Sequence, residues 1–154
     1  MLRRKLLLED LEAVIAECEG LLGSGYTQNG KWSLGQICHH IRLTIDASVN
    51  GFPIWMILVG YPLRPFLRRW LLPRLLRGDS PSGIRTARRY EPPLDLDDAR
   101  EVEALRQSIS RFHESTQTPR AHPGFGTMPK GAFERFHAAH ASHHLSFLGV
   151  LNHM

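Results

Sequence analysis

Cysteine and long uncharged hydrophobic runs are both scarce in this sequence of 154 residues. The two cysteines, Cys18 and Cys38, lack the paired spacing of a disulfide framework or a thiolate zinc site, so we expect two reduced, mostly buried thiols. The most apolar stretch, 52–76, contains an uncharged run of only 12 residues, which is too short to span a bilayer. The N-terminal leucine run stops at Glu9 and Asp10 before a signal-peptide core forms, which predicts a cytoplasmic protein.

Acidic residues are almost missing from the middle of the chain. The 26 residues from 64 to 89 contain a single acid, Asp79, and carry a charge of +7, whereas the whole chain carries +4. Such a patch can bind nucleic acid or an anionic lipid surface, but a charge run is more commonly a solvated edge, and we expect neither partner. The eight arginines of this window are Arg64, Arg68, Arg69, Arg74, Arg77, Arg85, Arg88 and Arg89.

Four amphipathic helices are predicted from apolar residues that recur every three or four positions. The first covers residues 5–22, and the second runs from an N-cap at Ser33 to about residue 50. The third begins near Asp95 or Asp97 and ends before Pro119. The fourth is capped by Thr127, has a proline in its first turn and runs to about residue 148.

The chain has no strand-like alternation and no internal repeat. Its length is that of one domain, 1–154, and its composition of 42% hydrophobic and 22% charged residues is typical of a globular protein with a core. The pattern predicts an all-α fold, an antiparallel four-helix bundle. An extra helical excursion, 52–76, lies between helices two and three and is interrupted by three prolines. We expect it to pack on the bundle or on a second copy in a homodimer, in preference to a membrane surface.

Four of the nine histidines lie in the stretch "HAAHASHHLSFL" of the fourth helix. At about 100° per residue, His144 lies about 40° from His140, and both are within the apolar stripe of Phe133 and Phe147. Histidines at i and i+4 can converge on one ion. His143 falls at the margin of the stripe, and His137 is one turn further back.

The second helix supplies a further candidate ligand in "CHHI". His40 shares the inward face with its apolar neighbours, whereas His39 is rotated by about 100° toward the edge and Cys38 points almost the opposite way. One alternative is that each inward histidine binds a backbone carbonyl, a water or a hydroxyl. We favour a shared divalent metal at His40, His140 and His144, with Zn²⁺ or Ni²⁺ preferred by imidazole ligands and one position left open.

Two blocks, "KWSLGQICHHI" and "HAAHASHHLSFL", resemble the DinB/YfiT-like superfamily of metal-binding four-helix bundles. The segment "AHPGFGTMPKGAFERFHAAHASHHLSFLGV" is most similar to an uncharacterised domain-of-unknown-function branch of that superfamily. The resemblance implies a bundle that holds one divalent ion on His40, His140 and His144. It also implies a metal-dependent transferase that uses a low-molecular-weight thiol, such as bacillithiol, mycothiol or glutathione. The arginine-rich excursion departs from the compact bundle pattern.

Two hypotheses about function follow. The first is a metal-dependent enzyme that transfers a low-molecular-weight thiol to an electrophile or acts as a hydrolase. The second is a non-catalytic metal-binding or dimerisation module. Near the site, "HPGFG" can bring His122 or Phe125 toward the pocket mouth, although a turn that sets the entry of the fourth helix is favoured. Trp32 is expected to be core, and Asp46 is not expected to be a ligand.

Overall fold

The computed structural model describes residues 2–81 and 86–151, so Arg85 of the arginine-rich window lies outside the described residues. Within these residues the fold is mostly helical and belongs to the all-α class, with five helices and one small two-stranded sheet. The helices are α1 Leu11–Ser24, α2 Leu34–Asn50, α3 Ile54–Leu76, α4 Asp98–Glu114 and α5 Lys130–Leu145, and the strands are β1 Tyr26–Gln28 and β2 Leu148–Val150.

The first helix begins six residues later than the sequence pattern predicts. Asp10 is its N-cap and accepts a hydrogen bond from the amide of Ala13 at 2.7 Å, which is a competing start signal within the apolar stripe. The residues before it lie along α5 instead, because Arg4 N–H donates to the Ser146 carbonyl and Leu8 N–H donates to the Ser142 hydroxyl. The prediction of helix over 5–10 was therefore wrong.

Two helices begin where their caps predict. Ser33 and Gln36 form a capping box at the start of α2, and the Asp97 carboxylate caps α4 by accepting from the Arg100 amide. The prediction of a Thr127 cap was wrong, since Pro129 is the N-cap of α5 and makes no side-chain capping bond.

Residues 148–150 form a strand rather than a last helical turn. α5 ends at Leu145, and Leu148–Val150 pairs antiparallel with Tyr26–Gln28, with Thr27 opposite Gly149. The prediction that the fourth helix continues to about 148, and that no strand forms, was wrong. Three residues are too few to show a periodic signal, and the partner strand lies more than 100 positions away in the chain.

One cluster of buried apolar side chains lies between α1, α2, α4 and α5. α2 packs against α4 and α5, and α1 also contacts both of these helices. The largest side chains in the cluster that are almost fully buried are Phe112, Phe133, Leu11, Leu21, Leu34, Ile37, Ile41, Ile45, Leu105, Leu145 and Leu148. The cluster positions α2 and α5 side by side, and these are the helices that carry the candidate ligands.

The arginine-rich excursion is a helical run, α3, that changes pitch where prolines remove helical N–H groups. A 3-10 turn spans Tyr61–Leu63 and a π turn spans Leu67–Leu71. Arg64 and Arg68 attach α3 to the loop before α5 by donating to the carbonyls of residues 123, 125 and 127. No single helix among the described residues could cross a membrane; α2 and α3 qualify only as a pair, bent by 89°.

Gly60→Ala is expected to destabilise the protein by about 2 kcal/mol, although alanine is the better helix former. The backbone of Gly60 is helical, but an added Cβ would meet the carbonyl oxygen of Pro123 and lie 2.6 Å from its carbonyl carbon. The matched control is Gly20→Ala in α1, where nothing lies within 4 Å, so a gain of about 0.5–1 kcal/mol is expected. Urea unfolding measures the free energy of unfolding of both variants. Higher stability in both would contradict the close packing of α3 on the loop before α5.

Candidate metal centre

Three imidazoles from two helices converge at one point. α2 contributes His40, and α5 contributes His140 and His144. The Nε2 atom of His140 lies 3.1 Å from Nε2 of His40 and 3.1 Å from Nε2 of His144. The three candidate ligand atoms lie within 4.8 Å of one another. The structure thus brings together all three residues that the sequence nominated as metal ligands.

The tautomer of His40 is determined by a backbone carbonyl. Nδ1 of His40 lies 2.8 Å from the carbonyl oxygen of Tyr90, which can only accept, so Nδ1 carries the proton and donates it. The lone pair is then on Nε2, the atom that faces His140. A hydrogen bond from the second ring nitrogen to a carbonyl or carboxylate is the usual way in which proteins orient a metal-binding histidine.

Burial keeps the three rings neutral at ordinary pH. It lowers the pKa of His40, and it lowers the pKa values of His140 and His144 still further, with the neighbouring imidazoles adding to the effect. His40 is buried, whereas the other two residues are partly exposed. Neutral imidazole is the protonation state that binds a metal ion.

The three-nitrogen arrangement fits a tetrahedral transition metal. Two nitrogens bound to one zinc ion at about 2.0–2.1 Å lie about 3.3–3.4 Å apart, which is near the two separations of 3.1 Å. Nδ1 of His140 is buried without a hydrogen-bond partner among the described residues, so this ring is not held in place by the polar contact that a buried histidine normally makes. Within the same part of the chain, no fourth histidine, cysteine or carboxylate joins the group.

Aromatic rings line the group on two sides. The Trp32 ring stacks on His144 at a centroid distance of 5.2 Å and also lies 5.0 Å from His40. The Phe136 ring is parallel to that of His140 at 6.1 Å. Trp32 packs against the core but is only partly buried. The prediction of a core position was therefore correct in part, and it did not include the contact of Trp32 with the site.

Each histidine outside the group that the structure describes has another partner. The ring of His39 faces Glu101 at 3.2 Å, and His143 faces the Arg3 guanidinium at 3.3 Å while its ring packs on His144. Nδ1 of His122 accepts hydrogen bonds from the amides of residues 124 and 125, so "HPGFG" is a turn, and the Phe125 side chain is buried. The turn interpretation was therefore correct, and this histidine does not reach the group.

Two further predictions about neighbouring residues agree with the structure. The Sγ atoms of Cys18 and Cys38 lie 3.7 Å apart as buried free thiols, away from the histidine group. The Asp46 carboxylate accepts from the Ser108 hydroxyl at 2.6 Å and pairs with Arg111, so it binds α4 rather than a metal. Both groups have structural roles in packing α2 against its neighbours.

A comparison of the whole sequence places the chain in a family. The family model described as "Protein of unknown function (DUF1569)" matches residues 1–150. The chain belongs to the DUF1569 family. No curated protein and no solved structure matches the chain. The matched residues of this DUF1569 protein include the whole site: the three histidines, the Tyr90 carbonyl and the two aromatic neighbours.

Sequence reasoning missed two features of the site in this DUF1569 protein. The carbonyl that orients His40 comes from Tyr90, at the end of a short 3-10 turn before α4, and a backbone group leaves no residue-type signal. Phe136 lies one turn before His140 on the same face of α5, so the helical spacing that selected the histidines also predicts this contact.

His137→Gln is expected to flatten the pH dependence of stability. His137 is 1% exposed. The Ser48 hydroxyl donates its own proton to the Ile45 carbonyl, so it accepts a hydrogen bond from Nε2 of His137. Burial lowers the pKa of His137 to about 3, so between pH 6.5 and 3 the unfolded chain takes up a proton that the folded chain excludes. Stability is therefore lost as the pH falls through this range.

The free energy of unfolding is expected to change less steeply with pH in the variant, by up to about 1.4 kcal/mol per pH unit. Urea unfolding between pH 6 and pH 4 measures the slope for both proteins. The comparison of slopes is independent of any constant loss of stability that the substitution causes. Equal slopes would mean that His137 takes up its proton in the folded protein as readily as in the unfolded chain.

Proposed function

We propose that His40, His140 and His144 hold one divalent transition metal, Zn²⁺ or Ni²⁺, and that this DUF1569 protein is a metal-dependent enzyme of the DinB type. The single observation that carries the proposal is the convergence of three Nε2 atoms, with the lone pair of His40 aimed into the group by its bond to the Tyr90 carbonyl. Three histidine ligands without a fourth protein ligand are typical of catalytic rather than structural sites.

The arrangement of helices supports the finer architecture, an antiparallel four-helix bundle. α1, α2, α4 and α5 share one apolar core, while α3 packs on that core from outside through one face. In such bundles, metal sites are built from side chains on facing helices. Here α2 and α5 are the facing helices, in accordance with the resemblance to DinB-like proteins.

The proposed reaction class is transfer of a low-molecular-weight thiol to an electrophile, or hydrolysis. A divalent metal bound to the three histidines would lower the pKa of a coordinated thiol or water and so supply a nucleophile at neutral pH. The protein would contribute ligand orientation through the Tyr90 carbonyl and an apolar wall through Trp32 and Phe136. His140 and His144 are partly exposed, so the proposed substrate would approach the metal from their side.

Metal analysis of untagged protein is the first test. After treatment with a chelator and dialysis, the protein is reconstituted with Zn²⁺ or Ni²⁺ and measured by mass spectrometry of the elements. We expect close to one equivalent of metal per chain. Less than about 0.2 equivalents of either metal would contradict the proposal, because histidine ligands bind both ions well at neutral pH.

Turnover is the second test, and it separates the enzyme from the non-catalytic alternative. The reconstituted and the metal-free protein are assayed with glutathione and an aryl halide, and separately with a simple ester. Metal-dependent product formation in either assay supports the enzyme. Stoichiometric metal that raises the thermal unfolding midpoint, without turnover in either assay, supports a metal-binding module in which the ion stabilises the fold.

A further inference from the structure

The outward side of α3 leaves large apolar side chains uncovered. Eight of them are between 51% and 68% exposed, although the opposite side of the same helix packs on the core. Two of the three tryptophans in the chain are among these residues. We call this set the outer face of α3; it comprises Ile54, Trp55, Leu58, Val59, Tyr61, Leu63, Phe66 and Trp70. An exposed surface of this kind marks an interaction site.

The charge beside the outer face is of one sign. Residues 51–78 contain no aspartate or glutamate. Arg69 and Arg74 are exposed in the C-terminal half of α3, and Arg77 is exposed directly after it. The Arg69 guanidinium lies 5.8 Å from the centre of the Trp70 ring. Of these three arginines, Arg74 is paired with Asp79 at 3.2 Å. The C-terminal end of the outer face therefore presents cations next to aromatic rings.

A cationic groove continues from this end of the helix. It has a volume of about 530 Å³ and lies between the N-terminal segment, the turn after α3 and the side of α5. Arg3, Lys5 and Arg77 line it, and no acidic side chain is among its lining residues. A phosphate group would find several donors and no negative charge there.

We propose that the outer face of α3 is a docking surface for an anionic lipid bilayer. Its apolar side chains enter the boundary between headgroups and acyl chains, with α3 parallel to the membrane plane. Arg69, Arg77 and the cationic groove bind lipid phosphates. A helix with tryptophan, phenylalanine and leucine on its exposed side and arginines at its margin is typical of interfacial binding.

Charge favours a bilayer over a second copy of the chain as the occupant. In a symmetric dimer the same patch lies on both sides of the contact, so the arginines of one copy would find no carboxylate in the patch of the other. The face has no carboxylate to pair with them. Anionic headgroups supply the missing negative charge. The sequence alone did not favour a membrane, because it does not reveal which apolar residues of α3 stay uncovered.

Vesicle flotation tests the proposal. The protein is mixed with vesicles of phosphatidylcholine alone, or of phosphatidylcholine with about 30% phosphatidylglycerol, at low salt. We expect binding to the anionic vesicles to be at least about tenfold stronger, and to weaken as salt screens the arginines. The double variant Leu58→Ser with Phe66→Ser is expected to lose at least about tenfold in binding, because two exposed apolar side chains no longer enter the bilayer.

Leu94→Ser is the matched control, since Leu94 is 80% exposed but lies outside α3, and it should float like the unmodified protein. Arg69→Gln with Arg77→Gln should remove the preference for anionic vesicles. No flotation with either vesicle type would overturn the proposal. It would also be overturned if the protein did not float but sedimented as a dimer that Leu58→Ser with Phe66→Ser dissociates, since the occupant would then be a second copy.

Discussion

His140→Ala is expected to weaken the binding of Zn²⁺ by at least about a hundredfold, because even the loss of an outer hydrogen-bond partner of a ligand costs 10–100-fold. His140 is the central member of the group: its Nε2 is the atom that lies 3.1 Å from both other Nε2 atoms. Without it, one nitrogen from each helix remains. Competition with a chelating dye near pH 7.5 measures the dissociation constant.

The matched control for this substitution is His143→Ala. His143 lies in the same helix and packs on the ring of His144, but its Nδ1 faces Arg3 rather than the group. We expect it to bind Zn²⁺ with unchanged affinity. If both variants lost affinity equally, or neither did, the metal would be bound by a set of residues other than the three proposed.

Asp98→Ala is expected to lower the free energy of unfolding by about 3 kcal/mol, since hydrogen bonds to charged groups contribute about 1.5–3 kcal/mol each. The Asp98 carboxylate accepts from the Gly35 amide at 2.7 Å and from the Tyr26 hydroxyl at 2.8 Å. That hydroxyl in turn accepts from the Leu34 amide at 3.0 Å. One carboxylate therefore joins β1 to the first turn of α2, where negative charge is also favoured by the helix dipole.

Asp97→Ala is the matched control, because Asp97 is the adjacent carboxylate and caps α4 through one hydrogen bond to the Arg100 amide. Loss of a single exposed cap is expected to cost about 1 kcal/mol. Urea unfolding measures both variants. Equal losses would show that the Asp98 contacts between β1 and α2 contribute no more than an ordinary cap.

Local sequence signals predicted the starts of α2 and α4 better than they predicted the N-terminal segment and the residues after α5. The capping box at Ser33 and the carboxylate at Asp97 specify the starts of α2 and α4, because caps act within one helical turn. The N-terminal segment and β2 were misjudged. Their conformation depends on partners far away in the chain, such as the hydrogen bond from Leu8 to Ser142 and the pairing of β2 with β1.

The candidate ligands were predictable for a related reason. On a helix, the angle between residues follows from their spacing, so His140 and His144 had to share a face, and His40 had to lie on the inward face of α2. Which faces meet is a tertiary property. The structure brings the faces of α2 and α5 together, and it adds the Tyr90 carbonyl and the Trp32 ring, whose positions no local pattern encodes.

By itself, the sequence determined the helical class, most helix boundaries and the three histidines that can share an ion, since all of these depend on periodicity and on caps within a few residues. Only the tertiary structure decided the distances between the imidazoles, the carbonyl that orients His40, and which side of α3 stays exposed. Those features arise from packing between segments up to 100 positions apart. Burial is a property of the assembled helices, so composition alone could not assign it.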